Sequence, residues 1–277
     1  MSASKVRPAA LGSLAVKLFF ALLFLAPFYI TLCYALKTGE EITNTGLAFP
    51  TRVHLSNFSE AVNRANFFHV MANSVLTTVP GVLGLTVICT MASYIIARKN
   101  TRFYNAAYFL FLGAILIPFQ TIMLPLYVNL KRWGLMNTLA GFTLTRMGFL
   151  IPFTILIVTG FVKTVPRDLE EAAGIDGAGR YRTFGLIVVP LLKPILVTSV
   201  VLNTLYLWND FQTAILILQK NAVRTLPLVQ FYFFGEHSIQ LNLAFALFLL
   251  SMLPILLLYL LLQKYVASGL TAGAVKG

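Results

Sequence analysis

Residues 241–262 carry no charged side chain, and residues 14–36 carry only Lys17. An α-helix rises about 1.5 Å per residue, so roughly 20 apolar residues cross the ~30 Å hydrocarbon layer of a bilayer. A helix that is apolar on every side has to be surrounded by lipid or by protein. Of the 277 residues, 58% are hydrophobic and 11% are charged. The chain therefore reads as an all-α membrane protein.

Four further runs fit the same reading, at about 70–97, 104–128, 139–162 and 184–207. The first run is too long for a signal-peptide core and shows no small-residue cleavage site, so it reads as an uncleaved span. Six spans put both ends on one side. The tails, the 98–102 turn and the loop at 164–183, counted with Lys17, Lys163, Lys193 and Lys264 at their borders, hold thirteen of the 21 Lys and Arg over the shorter length, which predicts that they face the cytoplasm. The formal charge of +12 is then a matter of topology, and no nucleic-acid partner is implied. Prolines at 80, 118, 125, 152, 190, 194 and 254 predict kinks. Cys33 and Cys89 lie in apolar runs and read as packing residues. His54, His69 and His237 have no ligand type at helical spacing, so no metal site is expected. There is no phosphate-cradling loop, no catalytic Ser or zinc motif and no paired acids within the spans, so the chain reads as non-enzymatic, with no cofactor of its own.

The polar interruption at 166–190 stands apart. Asp168 is placed to cap a helix, with Glu171 three residues on to reach back to the cap. Glu170 and Glu171 suit the positive end of that helix. Ala172 and Ala173 leave a bare face, and glycines at 174, 177 and 179 predict a stop after about two turns. Such a helix can press its backbone against a partner; the alternative is an amphipathic helix lying on the membrane. Glu171, Ala172, Ala173, Gly177, Ile187 and Pro190 form the pattern E-A-A-x3-G-x9-I-x-hydrophobic-P. That pattern resembles the signature loop of the membrane subunits of bacterial ATP-binding-cassette importers, with Val189 where Leu is commoner. The resemblance implies a type I importer permease fold: six spans, with a coupling helix (169–178) between spans four and five. The candidate ATPase-coupling residues are Glu171, Ala172, Ala173, Asp176 and Gly177; ordinary cap and turn chemistry is the alternative for each.

Other stretches resemble the carbohydrate branch of that family: Asn73-Ser74, Tyr94 with Ala97-Arg98, Pro118 with Leu124-Pro125-Leu126-Tyr127, Gly134-Leu135 with Asn137-Thr138, and Trp208-Asn209-Asp210-Phe211. The ending at 269–277 is similar to that of the maltose-type second permease. The resemblance implies a cytoplasmic tail at 1–13, a permease domain at 14–265 and a second tail at 266–277. It also implies a second, homologous permease, two cytoplasmic ATPase subunits that bind ATP and Mg, and an extracytoplasmic sugar-binding protein. The location implied is a bacterial inner membrane.

For a sugar path, hydrogen-bonding and aromatic side chains within the spans are the candidates. Gln120, Tyr127, Asn203, Tyr206, Trp208, Asn209 and Asp210 qualify. Interhelical hydrogen bonds or an interfacial aromatic belt are the alternatives for each. Arg146 lies about 10 Å into its span. It is expected to snorkel to the surface or to pair with Asp210 or Glu236. The Phe231–Gly235 aromatic loop could touch the binding protein or sit at the interface. An importer for another solute and an ion-coupled secondary transporter remain as alternatives, the latter requiring mid-span acids.

Overall fold

The computed structural model describes residues 8–99, 101–232 and 240–274, and every regular element among them is helical. In chain order these are α1 (Pro8–Ala35), α2 (Gly39–Thr45), α3 (Ser56–Arg64), α4 (Phe67–Arg98), α5 (Arg102–Ile115), α6 (Phe119–Arg132) and α7 (Leu139–Val162). Then come α8 (Asp168–Ile175), α9 (Arg180–Thr183), a π-helical turn at Phe184–Val188, α10 (Val189–Leu191) and α11 (Lys193–Trp208). The chain finishes with α12 (Gln212–Ile217), a 3-10 turn at Asn221–Val223, α13 (Leu226–Tyr232) and α14 (Leu241–Ala274).

Helices α1, α4, α7 and α14 are each long and apolar enough to cross a membrane. The expected third and fifth spans are not single helices. Helices α5 and α6 meet at 101°, and Arg180–Leu191 meets α11 at 73°. Proline is the reason in both. Pro118 has no N–H and disfavours helical geometry in the residue before it, so α5 closes with short bonds from Leu116 N to Gly113 O and from Ile117 N to Ala114 O. Pro190 and Pro194 remove two donors within five residues, and the chain answers with the π turn and a break at Leu192. Pro27, within α1, was not among the expected kinks. The tail expected from 266 continues α14 as far as Ala274.

Two compact units divide the chain, Met1–Phe67 with Gln230–Leu253 and Phe68–Val229 with Pro254–Gly277. In the first unit the segment between the first two expected spans contains α2 and α3. Thr38 Oγ1 caps α2 by accepting the Glu41 N–H at 3.1 Å. Lys37 is wholly buried, its Nζ donating to Thr45 Oγ1 and Gly46 O at 2.9 Å each. Asn57 Nδ2 donates to the carbonyls of Ala35 and Lys37, both at 2.8 Å, and Asn57 Oδ1 accepts from Asn242. The Glu41 carboxylate accepts the Thr51 N–H, which holds its pKa below the ordinary carboxylate range.

The second unit is held by helix packing, because lipid is as apolar as leucine and gives no hydrophobic drive to bring helices together. Small residues let backbones approach instead. A Cβ added at Gly81 would stand 2.7 Å from Leu207 Cδ1 and 3.2 Å from Thr143 Cγ2. One added at Gly84 would stand 2.7 Å from Met147 Cε. Polar pairs add to this: Asn203 Nδ2 donates to Thr154 Oγ1 (3.1 Å) and Ser199 Oγ (3.2 Å), joining α11 to α7. Gly81→Leu is expected to cost about 1–3 kcal/mol by overpacking. Gly160→Ala, at a site with nothing within 4 Å, should be neutral or slightly stabilising. Heat unfolding of the two purified variants checks the contrast, and equal midpoints would refute it.

Candidate functional site

Helix α8 lies between α7 and α9. Pro166 sets the entry, and Arg167 is already helical (φ −71°, ψ −27°), its carbonyl accepting from Glu170 N (2.8 Å) and Glu171 N (3.0 Å). The helix thus begins one residue earlier than the sequence suggests. Asp168 is its first residue rather than its cap, no side chain caps it, and the expected Asp168–Glu171 capping box does not form. The exit follows expectation: Ala178 N donates to Ala173 O (2.9 Å) and Gly177 N to Gly174 O (3.1 Å), with Gly177 at φ +79°. This double closure needs a left-handed residue, which is why glycine stands there.

Successive residues on a helix point about 100° apart, and that divides the segment. Glu171, Ala172, Asp176 and Gly177 are exposed, whereas Ala173 is buried. The expected bare alanine face is therefore Ala172 alone. Ile175 and Tyr181 are 88% and 87% exposed, a large apolar outlay for a segment outside the spans. Glu170 turns inward: its Oε1 accepts from Arg98 Nε at 2.7 Å and its Oε2 from Tyr94 Oη at 2.6 Å. From the sequence, Glu170 is marked only as a match for the helix dipole and Tyr94 and Arg98 only as motif residues, with nothing local to pair them.

At the end of α11 a cavity of about 590 Å³ is lined by Arg146, Leu202, Leu205, Tyr206, Asn209, Asp210, Phe211 and Gln212. Three of the seven proposed pathway residues meet there. Asp210 is buried; its Oδ1 accepts from the N–H groups of Thr213 (3.0 Å) and Ala214 (3.1 Å), which opens α12. Its Oδ2 pairs with Arg146 Nη1 at 3.0 Å, and Arg146 Nη2 donates to Tyr206 O at 2.9 Å. Snorkelling by Arg146 is thereby ruled out in favour of the Asp210 pair. Glu236, the other acid considered, lies outside the described residues, as does most of the 231–235 aromatic loop. Tyr206 and Asn209 are exposed at the cavity. Gln212, exposed beside them, lies outside both the expected fifth span and the Trp208–Phe211 stretch, so no sequence signal marked it.

The other four pathway residues do not join this cavity. Asn203 is buried and committed to Thr154 and Ser199, and Trp208 is buried in packing. Gln120 and Tyr127 sit on α6, Gln120 exposed and Tyr127 half-buried.

The model of the family described as "Binding-protein-dependent transport system inner membrane component" matches residues 84–272. The melibiose/raffinose/stachyose import permease protein MelC of Bacillus subtilis is 39% identical over 91% of this chain and 91% of its own. A probable starch degradation products transport system permease protein, AmyC of Thermoanaerobacterium thermosulfurigenes, is 34% identical over 92% and 93%. In fold, the chain is similar to a chain in the crystal structure of a bacterial ABC transporter involved in the import of the acidic polysaccharide alginate. The TM-score is 0.80 at 20% identity, covering 96% of this chain and 99% of that one.

Proposed function

Because the chain belongs to the family of binding-protein-dependent transport system inner membrane components, we propose that it is one of two permease subunits of an ATP-driven sugar importer. Its spans form half of the pathway, α8 docks on a separate ATPase that binds ATP and Mg, and a sugar-binding protein delivers the solute from outside. Both termini and α8 face the cytoplasm of a bacterial cell. The observation that carries the coupling role is α8 itself. It is a closed two-turn helix outside the spans that exposes Glu171, Ala172 and Ile175 yet is held in place by Glu170 on its other side. Relatives named for melibiose, raffinose, stachyose and starch degradation products support an oligosaccharide as the solute. The ion-coupled alternative needs a titrating acid on the path. The buried acid at the cavity, Asp210, is matched by Arg146 instead.

The chain co-expressed with its genomic neighbours and reconstituted in lipid is expected to hydrolyse ATP faster with one loaded binding protein. A panel of melibiose, raffinose, stachyose and alginate oligosaccharides identifies the sugar. Uptake by this chain alone, driven by an ion gradient, would overturn the reading. Within that assay Tyr206→Ala and Asn209→Ala are each expected to lower maximal uptake about 2- to 10-fold, the scale of one lost hydrogen bond or ring contact. Gln120→Ala, away from the cavity, should behave as the parent does. Indistinguishable rates for all three variants would remove the cavity from the pathway.

A further inference from the structure

Glu170 and Glu171 are neighbours with opposite destinations, one turned into the protein and the other toward solvent. We propose that Glu170, Arg98 and Tyr94 are positioning residues that lock α8 to the end of α4, so that the two helices travel as one body when α8 is displaced. The proposal rests on the importer reading above and names the part of this chain that receives the motion.

Both oxygens of Glu170 are used by α4, one by Arg98 Nε and the other by Tyr94 Oη. Arg98 Nη2 also donates to Val165 O at 2.9 Å, and Arg167 Nη2 donates back to Arg98 O at 3.2 Å. The end of α4 thus grips both α8 and the strand of chain entering it. On the exit side, the Tyr94 ring packs on Phe184 with centroids 5.0 Å apart. Tyr94 and Phe184 both border the apolar cluster of Val158, Val162, Val165, Val188, Leu192 and Ile195. The side chains of Arg98 and Glu170 are 12% and 15% exposed, so salt screens the pair little. Apart from this grip, α8 is held by the burial of Ala173 and by its packing on α9 and the π turn that follows.

Helix α4 runs as one helix from Phe67 to Arg98, and Pro80 within it, where the sequence predicts a kink, does not break it. Near its other end Asn73 Nδ2 donates to the carbonyls of Ala222 and Arg224, both at 3.0 Å, and Ser74 Oγ accepts the Leu226 N–H at 2.9 Å. At ~1.5 Å per residue the two attachments are about 38 Å apart along the helix. Asn73-Ser74 and Tyr94…Arg98, two stretches conspicuous in the sequence, are therefore the two fastenings of one rod. Displacement of α8 reaches the segment at 222–226 through α4, without passing through the hinged spans.

The test uses the whole complex with its ATPase, in lipid. Spin labels at Leu169→Cys in α8 and Leu83→Cys in α4, with Cys33→Ala and Cys89→Ala removing the native thiols, report the α4–α8 distance with and without trapped nucleotide. The parent complex is expected to keep one distance in both states. Glu170→Ala, Arg98→Ala and the double variant are expected to hydrolyse ATP but to change that distance on trapping. Their uptake of the stimulating sugar per ATP hydrolysed should fall roughly fivefold or more. Because the residues act as one strut, the double variant should be no worse than either single variant. A purely structural role would reduce the amount of assembled complex and leave the uptake-to-hydrolysis ratio alone. Glu170→Gln, whose one amide oxygen can still accept from Arg98 while its NH2 cannot accept the Tyr94 hydroxyl, serves if the alanine variants fail to assemble, and an intermediate loss is expected. A nucleotide-dependent distance in the parent, or a fixed one in the Glu170 variants, overturns the proposal. A chain that brings no ATPase through purification sinks the importer reading instead.

Discussion

Glu171→Lys is expected to abolish ATP-driven uptake, by about 100-fold or more, while the chain inserts and reaches the membrane at parental levels. Glu171 is exposed on α8, and its reversal costs this chain little on its own. A surface substitution away from packing usually stays within about 0.5 kcal/mol, and the unfavourable helix-dipole contribution is of similar size. The cost arises in the docked state, where a like charge placed in a partner's groove costs several kcal/mol. About 2.7 kcal/mol is already a factor of 100. Uptake into vesicles, read beside the amount of chain in the membrane fraction, separates the two effects. Full transport by this variant would sink the coupling assignment, whatever the sugar proves to be.

Arg146→Ala carries the second large effect, and this one falls on stability. The carboxylate of Asp210, 7% exposed, would be left without its counter-charge, and the Tyr206 carbonyl would lose its donor. Breaking one side of a buried pair costs about 3–5 kcal/mol, because the surviving charge stays desolvated. Asp210→Ala should be as damaging, since it also removes the acceptor for the Thr213 and Ala214 N–H groups that open α12. Replacing both partners, as in Arg146→Met/Asp210→Asn, should recover much of the loss, since no lone charge remains and the amide oxygen still accepts from α12. Thermal unfolding in detergent measures all three variants. An Arg146→Ala midpoint within a degree or two of the parent, or a double variant worse than either single one, would show that the pair is not what holds this corner together.

Much of the architecture is legible from hydropathy alone. The expected fourth span coincides with α7 at Leu139–Val162, α4 and α14 contain the second and sixth, and α1 covers the first to within one residue. Length without charge is a property of the chain taken one residue at a time, and the bilayer reads it in the same way. The two ends of α8 are also local, Pro166 and Gly177 each imposing a backbone angle on their own position. What only the tertiary structure decided depends on helix rotation and bend angle, to which hydropathy is blind. The prolines mark the breaks in the third and fifth spans, but the bend angles of 101° and 73° cannot be read from hydropathy. Arg98 meets Glu170 across 72 positions, and Arg146 meets the end of α11 across 60. A rotation of one helix by a single residue, about 100°, would turn Glu170 to solvent and Glu171 to Arg98 without altering the composition of either helix. The sequence therefore determined that two glutamates stand at the start of this loop, and packing against α4 determined which of them is left free to meet a partner.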